Sequence, residues 1–400
     1  MRKFYFTLFF IFQGALMSTV IDSITFKNKT IPIIFEYNDK LPIFNMQLVF
    51  TNSGYIQDNN ISGLRNLTAK LLNEGTKSDG AVEFARKLES KAISLHATNG
   101  FETFVIEVTS LNEQYIDSLL LLNQLLREPN ITETTLDKIK NLHISKLTQK
   151  ENDFDYVAKK ALVKQLFEGT KLENGSSGTI DSVSDISLED IKASINDLLN
   201  IDNLIIVAGG KIKKQDFLLD ITKTLNTLES SGIKELEKFS LSKEIKTEYI
   251  YKDTEQAYIY FGSPFFMQYN DEDAYKAKVA SFILGGSGFG SRLMEEIRVK
   301  NGLAYSAYGY INTQKTHSYF TGYLQTKIEN EEKAKDLVIK TIKVFTQNGA
   351  SLDELEAAKK FLQGSEPLRV ETFSQRLGRT FNLYYKNLPQ DYPQKELQLI

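Results

Sequence analysis

The chain has 400 residues, 42% hydrophobic and 25% charged, which is enough for two or more domains with separate cores. Its 48 basic and 51 acidic residues leave a net charge of −3, and the basic residues are scattered, which argues against a nucleic-acid partner. Cysteine is absent, so disulfides and thiolate metal sites are excluded, and His96, His143 and His317 are the only imidazoles. At the start, Arg2 and Lys3 precede a nearly unbroken apolar run over residues 4–12, followed by Gly14, Ala15 and Ser18. This is the plan of a secretory signal peptide over residues 1–18. An uncleaved anchor continuing to Ile21 is the alternative, weakened by Gln13 and Gly14.

Strands follow at 31–37 and 43–50; in the second, Phe44, Met46, Leu48 and Phe50 alternate with other residues. From residue 61 the spacing turns helical, with Leu64, Leu67, Leu71 and Leu72 on one face, and a second helix covers 81–91. Residues 93–98 and 101–109 read as a hairpin turning at Asn99-Gly100. A leucine-rich helix spans 111–127, and 132–163 continues helical. Ser187-Leu-Glu-Asp190 resembles a capped helix start leading to Leu199, and 204–207 is a short buried strand.

Residues 227–246 are rich in Ser, Glu and Lys without an apolar period, and read as a linker between an N-terminal domain, 20–226, and a C-terminal domain, 247–400. Strands at 247–251 and 257–261 and a helix at 273–284 open the second domain. Residues 284–305 then read LGGSGFGSRLMEEIRVKNGLAY. Ser291 is placed to cap a helix with Leu293, Met294 and Ile297 on its apolar side, and Gly302 to end it. Arg298 falls in its last turn and Tyr305 follows beyond the glycine, so a guanidinium and a phenol can be held side by side. The glycine spacing does not fit a dinucleotide fingerprint, and the segment before it is helical rather than a strand. A strand at 303–310, another at 319–325 and helices at 330–348 and 352–364 complete the pattern. Strands followed by helices, twice over, predict two α+β domains of similar topology.

The stretch from Leu284 to Tyr310 resembles the C-terminal-domain signature of the pitrilysin/insulinase family of zinc peptidases, especially its two-subunit, processing-peptidase-like branch. The resemblance implies two similar domains, each a mostly antiparallel sheet with helices packed on one face, together forming half of a clam-shell chamber. It also implies that Arg298 and Tyr305 bind the substrate backbone beside the metal. Family members usually run past the 391–392 region through another helix and a closing strand, so this chain is expected to be truncated or to complete its sheet differently.

In the family the zinc ligands lie on the first-domain helix as His-x-x-Glu-His, two imidazoles one turn apart with a glutamate as general base. The matching stretch here is GLRNLTAKLLNEGT, residues 63–76, in which those three positions read Asn66, Ala69 and Lys70. The third ligand, normally a downstream glutamate, falls at Ser145-Lys146. Lysines at 70 and 146 would repel a divalent cation, and each histidine stands alone in sequence, so no metal or other cofactor is expected in this chain.

Carried over in this way, the resemblance implies a metal-free, substrate-binding subunit of a periplasmic heterodimeric zinc endopeptidase, inactive alone. Its partner would be a zinc-bearing homologous subunit and its substrates extended peptides, added as a strand to a sheet edge. No membrane contact is expected apart from the possible N-terminal anchor. The alternatives are an inert structural or assembly subunit, or a peptide-binding protein, with the same fold.

Overall fold

The computed structural model describes residues 19–58 and 61–400, so the stretch read as a signal peptide lies outside the described residues. The described chain begins with a hairpin that alternation did not reveal, β1 (Val20–Phe26) against β2 (Lys29–Tyr37). Lys27 and Asn28 form its two-residue turn at φ 47° and 59°, a mirror-image turn that matches the twist of the strands. Next come β3 (Ile43–Thr51), α1 (Leu64–Leu72), α2 (Gly80–Glu89), β4 (Ser94–Asn99) and β5 (Thr103–Leu111). Helices α3 (Tyr115–Arg127), α4 (Glu133–Lys150), α5 (Phe154–Leu166), α6 (Ile180–Asp185) and α7 (Leu188–Leu198) lead to β6 (Leu204–Gly210) and α8 (Lys214–Leu225).

The first sheet has the order β1-β2-β6-β3-β5-β4, antiparallel throughout except between β2 and β6. Phe44, Met46, Leu48 and Phe50 put their alternate side chains on one face and are fully buried there. That core also takes Leu67, Leu71 and Leu72 of α1, Leu122 of α3, Ile191 of α7 and Phe217 of α8.

The second half contains β7 (Gln256–Pro264), α9 (Ala274–Ser281), α10 (Arg292–Met294), β8 (Ala304–Thr313), β9 (Ser318–Lys327), α11 (Glu331–Asn348), α12 (Leu352–Ser365), α13 (Phe373–Tyr385) and α14 (Tyr392–Leu399). Its sheet has three strands, β7-β9-β8, all antiparallel, against six in the first half. The architecture is α+β in two halves, each a mostly antiparallel sheet backed by helices.

Each sheet also takes one helix from the other half on its opposite face. Phe373 and Leu377 of α13 pack on Ile34, Val49, Ile205 and Val207, the back of the first sheet. Conversely, α5 lies against β7: Tyr260 donates to Asp155 at 3.0 Å, and Phe154 meets Tyr258 edge-on. Burying Phe373 and Leu377 is worth about 1.5–3 kcal/mol each, so the halves are joined by core contacts as well as by the intervening segment. The tips of their hairpins also meet. The Lys315 backbone N–H donates to Glu102, and the His317 ring packs edge-on to Phe101 and Phe167.

Several expected elements differ. The hairpin does not turn at Asn99-Gly100: Asn99 pairs with Phe104, leaving a four-residue loop closed by Gly100 N–H to Thr103 O at 2.8 Å. The helix expected from residue 111 starts at Tyr115, because Leu111 ends β5 opposite Ile43. The continuous helix expected over 132–163 breaks after Lys150, where Asp153 accepts from Tyr156 N–H and caps α5. The strand expected at 247–251 does not form. Those residues are exposed and pair with no strand among the described residues, and Tyr249 bonds instead to Glu332 and Lys335 of α11.

Candidate functional site

Helix α1 carries the three positions where the zinc motif was sought. Its start is fixed from upstream: buried Asp58 accepts the backbone N–H groups of Gly63 and Arg65, at 2.9 and 2.8 Å. Burial pushes the Asp58 carboxyl up to about 6, against the pull of those donors and of Arg65. The Arg65 guanidinium is itself buried and pairs with Asp197. On this anchored helix Ala69 is buried, while Asn66 and Lys70 are half-buried on one face, one turn apart. The Asn66 side-chain oxygen is buried without a hydrogen-bond partner.

The α4 residue that meets Lys70 is His143, one turn before Lys146; Ser145 and Lys146 are exposed. His143 is buried, with Nε2 2.9 Å from the Ser177 carbonyl oxygen and Nδ1 on the Lys70 amine. A carbonyl only accepts, so Nε2 carries the proton and Nδ1 accepts from Lys70. His143, Lys146 and Lys150 follow at i, i+3 and i+7 and share a helix face. In sequence His143 stands alone as an imidazole, and its spacing from Lys146 and Lys150 is the signal that points to this face. Burial, together with Lys146 and Lys150, pushes the Lys70 amine down to about 8, and burial chiefly keeps His143 below its ordinary value. An asparagine, an alanine and an ammonium do not fit a zinc ion. Among the described residues no three His, Cys, Asp or Glu side chains come together as a metal cluster.

The edge strand β4 lies beside α1, and Asn73 just past the helix engages it. Asn73 accepts from Ala97 N–H at 2.8 Å and donates to Ala97 O at 2.9 Å, so these edge groups of the sheet are already bonded.

Arg298 and Tyr305 do come together. Gly285 lies so close to β8 that a Cβ would sit 2.3 Å from the Gly309 nitrogen, and Gly290 turns at φ +90°. Ser291 then caps α10, accepting from Met294 N–H and donating to Gly288 O. Arg292 holds this turn to α12 through a two-pronged pair with Glu354. Past Met294 the helix widens to a π-turn over Glu295–Lys300, which Leu303 N–H closes by reaching Ile297 O at 2.9 Å. In β8, Ala304 faces Thr326 and Ala307 faces Leu324, so Tyr305 and Ser306 together oppose Gln325. This bulge re-aims the strand, and Tyr305 is 81% exposed. The Arg298 guanidinium stands 4.3 Å from the Tyr305 ring centroid and 4.6 Å from that of Phe289, sandwiched between the two. Phe289, exposed on the glycine loop, is a part of this arrangement that sequence reasoning missed.

Residues 38–180 match the model of the insulinase family, peptidase family M16, and residues 185–362 match that of the peptidase M16 inactive domain. A Helicobacter pylori (strain ATCC 700392 / 26695) protein, "Non-peptidase homolog YmxG", is 42% identical over 100% of this chain and 92% of its own length. The chain belongs to the insulinase (M16) peptidase family. A Bacillus subtilis (strain 168) member, "Uncharacterized zinc protease YmxG", is 24% identical over 80% of this chain and 77% of its own. Among solved structures, a peptidase M16 inactive domain from Pseudomonas fluorescens superposes with a TM-score of 0.85 at 23% identity, covering 95% of this chain and 91% of its own. A protease from Helicobacter pylori gives 0.81 at 16% identity, covering 95% and 93%. In this M16 chain α1 carries Asn66, Ala69 and Lys70, and Arg298 and Tyr305 stand together on the second half.

Proposed function

We propose that this chain is the metal-free, substrate-binding subunit of a heterodimeric zinc endopeptidase, exported to the periplasm, that acts on peptides. The carrying observation is the half-buried Arg298 stacked on the exposed Tyr305 and presented by a π-turn and a bulge, in a chain whose α1 carries Asn66, Ala69 and Lys70. The name of the H. pylori relative, a non-peptidase homologue, supports the same division of labour. Zinc and the activated water belong, on this reading, to a homologous partner subunit. Arg298 donates to a peptide carbonyl, or to the charge that develops on it, with an edge N–H left free by face-on stacking. The Tyr305 hydroxyl supplies a second donor. The charged start and apolar run of residues 1–18 support export, and the domain division at 227–246 separates the lost metal site from the retained pair.

The test begins with purification from a periplasmic fraction and identification of a co-purifying zinc-bearing homologue. In the reconstituted pair, Arg298→Ala should lower peptide turnover about 10²–10³-fold, and Tyr305→Phe by the same or less, with the complex intact by gel filtration. A kcat loss marks action on transition-state charge, and a KM loss marks substrate holding. Full turnover in both variants would leave the purely structural reading standing.

A further inference from the structure

Lys70, Lys146 and Lys150 form a cationic group whose charge nothing on the described chain neutralises. Among the described residues none of the three has a carboxylate within salt-bridge distance, whereas lysines on the neighbouring surface, such as Lys138 with Glu74, do. Their convergence follows from the fold: His143 brings its face of α4 onto Lys70, and Lys146 and Lys150 lie one and two turns along that face. Lys150 is held over the Tyr156 ring, 4.7 Å from its centroid, at the junction of α4 and α5. The Lys70 amine gives one N–H to His143, and its other two have no acceptor among the described residues. Asn66, one turn away on the same face of α1, contributes the opposite deficit, a buried oxygen lacking a donor.

We propose that this group, standing where the family's metal motif would be, is a carboxylate subsite that takes the C-terminal carboxylate of a peptide. The carboxylate oxygens accept from Lys70 and from Lys146 or Lys150, and a rotation of the Asn66 side chain brings its unpartnered oxygen to the adjoining peptide N–H. That paired need, an anion beside an N–H, is met at the end of a polypeptide and is not met by acetate. Burial first, and then repulsion from Lys146 and Lys150, hold the Lys70 amine near 8, and a bound anion offsets both. The peptide part of this inference rests on the proposed function; the carboxylate part does not.

Two measurements on the full chain separate these parts. Titration of the lysine side chains by NMR, with N-acetylglycine as probe, should move Lys70 upward toward an ordinary lysine value. No movement, or an equal movement with phosphate, would overturn the subsite whether or not the chain binds peptide. Fluorescence anisotropy should then show an extended peptide with a free C-terminus binding about tenfold or more tighter at low salt than its amidated form. Lys70→Met and the Lys146→Ala/Lys150→Ala pair should abolish that difference while circular dichroism stays unchanged. Equal affinity for acid and amide in the native chain, or discrimination surviving in the variants, refutes the assignment. An amidated peptide ending in aspartate that recovers full affinity refutes its restriction to the chain terminus.

Discussion

The clearest energetic consequence of the exchanged helices is carried by Arg376. Its side chain reaches from α13 to Glu36 on β2, with Nε 3.1 and 3.2 Å from the two carboxylate oxygens and a second nitrogen on Oε1. Glu36 has no side-chain exposure, and its remaining side-chain partner among the described residues is the Thr19 hydroxyl at 2.8 Å. Arg376→Ala would leave that carboxylate buried with one neutral donor, a change that typically costs 3–5 kcal/mol. The Arg376 side chain is 23% exposed, so water can enter when it is removed, which places the loss near the lower end, about 3 kcal/mol. That is a large part of a stability of roughly 5–15 kcal/mol. Removing both charges, as Glu36→Leu/Arg376→Met, should restore stability to within about 1 kcal/mol, since the buried pair itself contributes little net. Urea unfolding followed by circular dichroism measures both. A single variant that loses less than about 1 kcal/mol, or a double variant as unstable as the single, contradicts the reasoning.

His317 is buried among Phe101, Phe167 and Tyr319, and burial pushes its imidazole down to about 4. The unfolded chain therefore binds the proton first, and stability should fall as pH drops from about 6.5 toward 4, by roughly 3 kcal/mol in all. His317→Phe keeps a ring in place and should flatten that part of the profile; an unchanged slope in denaturation against pH would count against the assignment. Separately, the purified chain should carry no stoichiometric zinc and cleave no fluorogenic peptide, given Asn66, Ala69 and Lys70 at the motif positions. One tightly bound zinc per chain by mass spectrometry, with chelator-sensitive turnover, would contradict this.

Much of the fold could be read from the sequence where period and burial coincide. Phe44 to Phe50 alternated and were buried, and Ser187 and Asp190 capped α7 as their types demand. Failures occurred where local signals competed. Lys27 and Asn28 gave no turn signal of the Asn-Gly kind, yet took the backbone that such a turn requires. Asn99-Gly100 gave that signal and was overruled, because the register of β4 on β5 places the loop one residue later. The β-prone Thr247, Tyr249 and Ile250 had no strand to pair with. The exchange of α5 and α13 could not be read at all: an apolar helix face records that it is buried, not which sheet buries it.

The candidate sites divide along the same line. Arg298 and Tyr305 were legible because a helix, a glycine stop and a strand fix their relation within eight residues of chain. The bulge that exposes Tyr305 depends on register with Gln325, twenty residues away, and Phe289 enters only through the fold of the glycine loop. The lysine group is less local still, since Lys70 and His143 lie 73 residues apart and meet only when α4 packs on α1. Asn66, Ala69 and Lys70 taken alone record only an absence of metal-binding side chains on α1. That absence gives no reason for a buried histidine to be held in one tautomer against Lys70, or for two further ammoniums to share its face without counter-charges. Retaining mutual repulsion at a half-buried amine costs stability, and a bound anion is what would offset that cost. The absence of metal-binding side chains on α1 and the presence of an uncompensated cationic group beside it are thus separate observations, and the proposed carboxylate subsite concerns the second.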